Sequence, residues 1–286
     1  MTRRDMKKQS IAQYLCIGMV AFLFMACSQE EEAEKVNVSV PLRVMINNGQ
    51  SSLTRATLSG LSTEFEADDT IGIFIANEDR TQYDNVPYVF DGTEWNLAKG
   101  EYIPKKVSFL DNYEYFAYYP YSESFNGWWP YYYDRDEDGD CTADEFFYNF
   151  IRNWTPRADQ STKANFNASD LMVGKGTIVS AANGTVSFAL KHQMGLIRLS
   201  YYDWENQQNY EDVSFMDNSY FYDEDNPDEI YPIPYNTGKY LYYIAKPGTT
   251  FSFWCWGNAF GMYEGYSVNV KESKGVITTY TIHPSY

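Results

Sequence analysis

The sequence predicts an all-β fold, because three features of the 286-residue chain agree. Short apolar segments of strand length recur along it, separated by turns rich in Gly, Asn, Asp and Pro. Tyr and Phe, which favour strands, occur 27 and 18 times. Apolar residues rarely repeat with the 3.6-residue period of an amphipathic helix. Many short strands with frequent turns are typical of β-sandwiches.

The predicted strands follow one another along most of the chain. Residues 36–46 alternate apolar and polar side chains, which indicates a half-buried strand, and the polar segment 47–52 after them indicates an exposed linker. Residues 70–76 form an apolar run typical of a buried strand. Further strands are predicted at 86–90, 106–110, 114–119, 176–179, 185–190, 195–202, 240–245, 250–256, 266–270 and 276–282.

The N-terminal residues match a bacterial lipoprotein signal peptide. A basic head at 3–8 precedes an apolar segment at 14–24 that is too short to span a membrane as a stable helix, and a small residue precedes Cys27. We therefore predict that residues 1–26 are removed. Cys27 then becomes the first residue, acylated on its sulfur and its amine, and its lipid tethers the chain to a membrane.

The residues behind Cys27 are acidic. Because Ser28–Glu32 offers no basic flank, it disfavours the alternative of an ordinary N-terminal membrane helix. The same five residues resemble the acidic export tag of surface lipoproteins in Gram-negative anaerobes. That resemblance implies display on the outside of the outer membrane.

Charge and cysteine content exclude several classes of partner and site. The net charge is −17 and falls to −20 without residues 1–26, so binding to nucleic acid, which needs cationic side chains at phosphates, is not expected. Cys141 and Cys255 are the cysteines left in the folded part, and the sequence leaves open whether they pair. With His192 and His283 they do not match the usual spacing of a zinc cluster.

Four phrases of the sequence, taken in their order, resemble the fimbrillin family, the subunits of type V pili. They are the strand openers at 65–74 and 115–121, the phrase Ser169–Met172, and the segment 186–197. The resemblance implies two tandem transthyretin-like β-sandwich domains. With the small and polar boundary at 180–184, the domains are predicted at residues 56–182 and 183–286, and the first carries an acidic and aromatic insertion at about residues 122–168.

The family also implies a route of assembly. Residues 27–55 would be a lipidated leader that contains a removable first strand at 36–46, and a protease would cut between Arg55 and Ala56. The extended segment of another fimbrial subunit would then fill the groove by strand addition. Arg43 is a poorer cleavage point because it lies inside the strand pattern, and Arg55 read on its own is an ordinary loop arginine. The identity of the donor strand stays open.

Residues 134–145 match the twelve-residue template of a calcium-binding loop. Carboxylates stand at positions 1, 3 and 5, glycine at 6, a carbonyl ligand at 7, a hydroxyl at 9 and glutamate at 12: Asp134, Asp136, Asp138, Gly139, Asp140, Thr142 and Glu145. We predict Ca²⁺ here, with an exiting helix over 143–154. The alternative is a solvated acidic turn.

The sequence does not predict an enzyme, because the motifs of nucleophilic, metal-dependent and nucleotide-dependent catalysis are missing from it. His192 falls in a strand pattern and is interpreted as a packing residue. The alternative function is a surface module that binds a glycan or another ligand on a host or bacterial surface. Trp128, Trp129 and Tyr131 would stack on sugar faces beside the calcium loop, although such rings also fill sandwich cores.

Overall fold

The computed structural model describes residues 40–47, 65–78, 81–127, 139–203, 208–210, 233–237, 240–257 and 262–282. Strands dominate these residues, which confirms the all-β fold class. Within the described ranges, no helix has the length and the apolar character needed to cross a membrane.

The first sheet contains eight strands: β1 (Arg43–Ile46), β2 (Thr70–Ala76), β3 (Thr81–Phe90), β4 (Trp95–Leu97), β5 (Glu114–Tyr119), β6 (Met172–Ser180), β7 (Thr185–Phe188) and β8 (Lys191–His192). Their order is β5-β2-β3-β4-β1-β7-β6-β8. Because β5 also pairs with β6, the strands from β1 to β7 close into a ring and β8 is attached to β6.

Strands β2 and β5 are buried on both faces, because their alternate side chains enter two different cores. Ile71, Ile73 and Ile75 of β2 lie inside the ring with Tyr115, Ala117 and Tyr119 of β5. Phe74, Phe116 and Tyr118 point to the outer face and belong to a second cluster. A continuous apolar run such as residues 71–76 is therefore required by the burial of both faces.

Short helices cover that outer face. They are a 3-10 helix at Glu123–Phe125 and the α-helices α1 (Ala143–Phe146), α2 (Tyr148–Asn153) and α3 (Lys163–Ser169). Phe146 stacks on Phe116 with ring centroids 3.8 Å apart, and Phe125 stacks on Phe150 at 4.0 Å. The segment predicted as an insertion thus supplies the aromatic layer that buries β2 and β5.

The remaining strands form two further sheets. Their bounds are β9 (Gly195–Asp203), β10 (Gln208–Tyr210), β11 (Tyr235–Asn236), β12 (Leu241–Ala245), β13 (Thr250–Gly257), β14 (Met262–Asn269) and β15 (Ile277–Ile282). β10, β9, β12 and β11 pair in that order, β15 lies parallel to β9, and β13 pairs with β14. Leu196, Tyr242 and Ile244 of the larger of these sheets extend the outer cluster.

Two sequence predictions differ from the observed strands. The predicted domain boundary at 182/183 falls in the turn between β6 and β7, because Thr185–Phe188 pairs with both β6 and β1 of the first sheet. The chain leaves that sheet between His192 and Gly195. The strand predicted at 106–110 is an isolated bridge at Ser108, opposite Pro41. The two transthyretin-like sandwiches stay a prediction.

Asn85 is a polar node at the junction of the ring and its covering helices. It is 2% exposed and has a φ of 46°, in the left-handed region that Asn tolerates better than most residues. Its Nδ2 donates to the Ser122 carbonyl at 3.0 Å and to Asn126 Oδ1 at 2.7 Å. Its Oδ1 accepts the hydroxyl proton of Tyr118 at 2.7 Å, which satisfies a buried phenol.

Replacing this node should destabilise the fold. We expect Asn85→Ala to lower the free energy of unfolding by about 2–3 kcal/mol, because the buried Tyr118 hydroxyl loses its shorter hydrogen bond and the Ser122 carbonyl and Asn126 Oδ1 lose a donor. Chemical denaturation monitored by tryptophan fluorescence measures the change. Asn96→Ala is the matched control, since this exposed amide bonds Asp91 at the surface and its loss should cost less than about 0.5 kcal/mol. Equal losses in the two variants would contradict the assignment.

Candidate functional site

Strand β1 lies between β4 and β7, where it closes the ring of the first sheet. Beside β7 it runs parallel over four residue pairs, from Arg43 opposite Thr185 to Ile46 opposite Phe188. The Arg43 N–H donates to the Gly184 carbonyl and the Asn47 N–H to the Phe188 carbonyl, both at 2.8 Å. This side of β1 is held by a regular ladder.

The other side of β1 is held less completely. Among the described residues, its register with β4 is the single pair Val44 and Trp95. Just before β1, the Leu42 N–H donates to the Val107 carbonyl at 2.9 Å, and the Phe109 N–H donates to the Val40 carbonyl at 2.8 Å. The first strand therefore contacts two different segments on this side and leaves a gap between them.

The side chains of this segment alternate as the sequence pattern predicts. Leu42 and Val44 are buried in the core of the ring, and Val40 and Ile46 pack against that core. Met45 points away and is 53% exposed. The alternation predicted for residues 36–46 is confirmed over 40–46, and residues 36–39 lie outside the described ranges.

A groove with a cavity volume of about 1120 Å³ lies beside β1. Its wall includes β1 itself, the β3–β4 turn and an apolar floor made by Phe65, Tyr88, Trp95 and Leu97. The ring of Phe65 meets that of Trp95 edge to face at 5.1 Å. Since the floor continues the apolar core, an extended segment with apolar side chains at alternate positions fits this place.

The predicted ends of the leader fall outside the described residues. Cys27 precedes them, and Arg55 and Ala56 lie between Asn47, where the first described segment ends, and Phe65, where the next begins. Lipidation and cleavage therefore stay predictions. The stacking residues Trp128, Trp129 and Tyr131 also lie outside the described ranges, as do the loop carboxylates Asp134, Asp136 and Asp138.

The second half of the predicted calcium loop is described. Gly139 has a φ of 88°, the conformation for which the template requires glycine. Thr142 caps α1, which begins at the next residue, and the helices α1 and α2 lie within the predicted exiting helix. The Glu145 carboxylate accepts the Thr142 N–H at 2.9 Å and its hydroxyl at 2.7 Å, so the two residues form a capping box.

Two lysines form ion pairs with Asp140 and Asp144, the aspartates whose side chains are not ligands in the calcium-loop template. Lys175 of β6 bonds Asp140 and, at 2.6 Å, Glu114, and Lys274 bonds Asp144 at 2.8 Å. The pKa of Lys175 lies above its ordinary value, because its hydrogen bonds to the two carboxylates outweigh the opposing effect of burial. In the described part of the chain, no three His, Cys, Asp or Glu side chains are grouped as a metal site.

The remaining candidate residues have structural positions. His192 is buried, and its Nδ1 lies 2.8 Å from Asp170 Oδ2, which agrees with its interpretation as a packing residue. Sequence reasoning missed Asp170 as its partner, since the phrase 169–172 was interpreted only as a family signature. Cys141 is buried beside Thr142, and Cys255 lies in β13, where only the backbone is described.

Solved structures with a similar fold come from the genus Bacteroides. A fimbrial protein of Bacteroides ovatus has a TM-score of 0.58 and 18% identity, and the match covers 87% of this chain and 50% of that one. A protein of Bacteroides uniformis assigned to cell adhesion has a TM-score of 0.50 and 15% identity, with 87% and 94% covered. At these identities the likeness shows the fold alone.

Sequence comparison identifies the family. The chain is 28% identical over 202 residues to a Bacteroides ovatus protein that carries the name fimbrium tip subunit Fim1C, which covers 67% of this chain. It spans about a third of that relative's length, at 35%. A family profile described as fimbrillin-like matches residues 54–219, which is more than half of the chain. The chain therefore belongs to the fimbrillin-like family.

Proposed function

We propose that this chain is a structural or adhesive subunit of surface fimbriae. It is exported as a lipoprotein, held at the outer membrane through Cys27, and joined to other fimbrial subunits by strand addition after cleavage between Arg55 and Ala56. Family membership and the fimbrial name of a relative support the general role. The observation that carries the assembly step is the uneven pairing of β1, with four residue pairs to β7 and one to β4, beside a groove with an apolar floor.

Strand β1 is held by two buried apolar side chains and by its pairing with β7. Burial of Leu42 and Val44 contributes roughly 1.5–3 kcal/mol for each side chain. Departure of the strand would leave the backbone groups of β7 unpaired and the ring core open to water, which is costly. An incoming strand with the same alternation removes both costs, so replacement is favoured over an empty groove.

Cleavage at Arg55 would change the competition between β1 and the incoming strand of another subunit for the same place beside β7. Before the cut, β1 is covalently joined to the rest of the subunit, and this linkage gives it a high effective concentration at its own groove. After the cut the same strand is a separate peptide that competes at its bulk concentration. The cut also separates Cys27 from the folded part, so release from the lipid and readiness for assembly follow from one event.

We also propose that the loop at 134–145 binds Ca²⁺. Asp134, Asp136, Asp138, the carbonyl of Asp140, Thr142 and Glu145 would supply its oxygen ligands. The left-handed Gly139 and the start of α1 directly after Thr142 support this proposal. Glu145 would supply a carboxylate to the ion, and the ion would neutralise carboxylates that otherwise repel one another.

An arginine-specific protease should produce a new N-terminus at Ala56. We expect Arg55→Lys to block this cut, because the substrate side chain is lost while the charge is kept. Arg43→Lys is the matched control and should leave the product unchanged, since Arg43 lies in a paired strand. Mass spectrometry of the N-terminal peptide checks the result. A product that begins at Val44, or an uncut chain, would contradict the proposed site.

Two neighbouring substitutions in β1 test whether its inward face holds the strand. We expect Val44→Asp to lower the free energy of unfolding by about 3 kcal/mol, because it buries an unpaired charge in the ring core. Met45→Asp places the same charge on the exposed face and should cost less than about 0.5 kcal/mol. Denaturant unfolding measures both. Equal stability of the two variants would contradict the proposal that the inward-facing side chains of β1 hold the strand in the ring.

Titration calorimetry of the full chain with CaCl₂ tests the metal site. We expect one calcium ion per chain, and we expect Asp134→Ala and Glu145→Gln to abolish the signal. Glu145→Gln keeps an oxygen for the capping box, so its effect reports ligation rather than loss of the helix cap. Asp140→Asn is the control that should still bind, because position 7 ligates through its carbonyl. Heat signals unchanged by Asp134→Ala would remove the assignment.

A further inference from the structure

Gly184 lies at the point where β1 enters the ring. It ends the turn between β6 and β7, with a φ of 64°. Its N–H donates to the Ala181 carbonyl at 3.1 Å, which closes the turn, and its carbonyl accepts the Arg43 N–H at 2.8 Å. The backbone of Gly184 therefore makes the first ladder bond to the strand and has no further donor to offer.

The first strand passes so close to Gly184 that a side chain there has no room. A Cβ at position 184 would lie 2.4 Å from the Pro41 carbonyl oxygen, 3.0 Å from Val40 Cγ1 and 3.1 Å from Phe109 Cβ. The nearest of these atoms belongs to the backbone and cannot move aside without displacing the strand. The absence of a side chain at position 184 therefore determines where the backbone of the first strand can lie, and not only the position of one neighbouring side chain.

Pro41 complements this contact. The Val40 carbonyl and the Leu42 N–H both face residues 107–109, so the backbone nitrogen and carbonyl of Pro41 face the opposite side, towards Gly184. If the parallel ladder between β1 and β7 continued one step towards the N-terminus, residue 41 would have to donate an N–H and Gly184 would have to donate its N–H to the first strand. Proline has no N–H, and that of Gly184 is used in the turn. The ladder therefore ends between Pro41 and Arg43.

We propose that Gly184 and Pro41 form a register stop for the strand that occupies this groove. The proposal rests on the strand replacement proposed above and adds a requirement on the partner. The segment of a second subunit that replaces β1 carries apolar side chains at alternate positions and a proline that faces Gly184. A slip of one residue would turn Val40, Leu42, Val44 and Ile46 outwards, so a fixed stop protects the core.

Hydrogen exchange of the full chain tests the contribution of Gly184. We expect Gly184→Ala to raise the exchange rate of the amides in 40–47 about tenfold or more, because the strand is displaced while the other strands of the ring stay paired with one another. Gly92→Ala is the matched control. Gly92 also has a positive φ, of 94°, but no atom lies within 4 Å of a Cβ placed there. Unchanged protection of 40–47 in Gly184→Ala would overturn the stop.

A second measurement uses the natural chain after cleavage behind Arg55. Labelled peptides of residues 36–47 compete for the groove, one with Pro41 and one with Pro41→Ala. We expect the alanine peptide to bind about two- to fivefold more weakly. The proline peptide loses less conformational entropy when it binds, and it has no N–H at position 41 that would be left unpaired. Equal affinities would overturn the register stop and leave strand replacement standing. If neither peptide binds the cleaved chain, strand replacement itself fails and the stop fails with it.

Discussion

Closure of the first sheet is the constraint on which the rest of the structure depends. A strand at the edge of a sheet exposes unpaired N–H and C=O groups, and a closed ring removes such edges. Here β1 makes the last connection, between β4 and β7. The described strand nearest in sequence to the predicted lipid anchor is thus also the strand that closes the ring, so its removal would expose a pairing surface.

The aromatic residues follow from burial on two faces. Since β2 and β5 are covered inside and outside, their outward rings need a second layer, which Phe146, Phe147 and Phe150 supply. Buried phenols also need partners: the hydroxyl of Tyr115 bonds the backbone of Leu110 at 2.8 and 3.0 Å. Burial raises the pKa of Tyr115 to about 12, which extends further into the alkaline range the pH at which its hydroxyl keeps the donated proton.

The sequence predicted correctly those strands whose pattern of apolar residues follows from the burial of the strand itself. The alternation of residues 40–46 and the apolar run of β2 reflect burial that each segment undergoes by itself. The exiting helix predicted over 143–154 corresponds to α1 and α2, whereas α3 was not predicted, because it is too short to display a helical period. Pairing between distant segments was not predictable in the same way: β7 belongs with β1, which lies far away in sequence, so a polar turn at 180–184 looked like a domain boundary.

The candidate site shows the same division. Asp68 adopts a φ of 78°, which Asp tolerates better than most residues, and its N–H donates to the Phe90 carbonyl at 2.9 Å, a pairing between distant residues that no local pattern predicts. Glu145 was predicted as a ligand and is also the partner of a helix cap, because one carboxylate at the third helical position suits both roles. In the sequence, Gly184 is an ordinary turn glycine. Its contact with Pro41 could not be predicted, because that contact forms only when the whole ring folds.

The strands on either side of β1 have other pairings that do not involve β1. β4 keeps three residue pairs with β3, and β7 keeps its antiparallel pairing with β6. Gly176 of β6 packs so closely that a Cβ there would lie 2.6 Å from Val186 Cγ1 of β7, which binds these two strands tightly. Departure of β1, as proposed, would convert the closed ring into an open sheet with two formed edges. In the proposed assembly, a partially unfolded acceptor would lose ordering entropy at each step, whereas these edges would be preorganised.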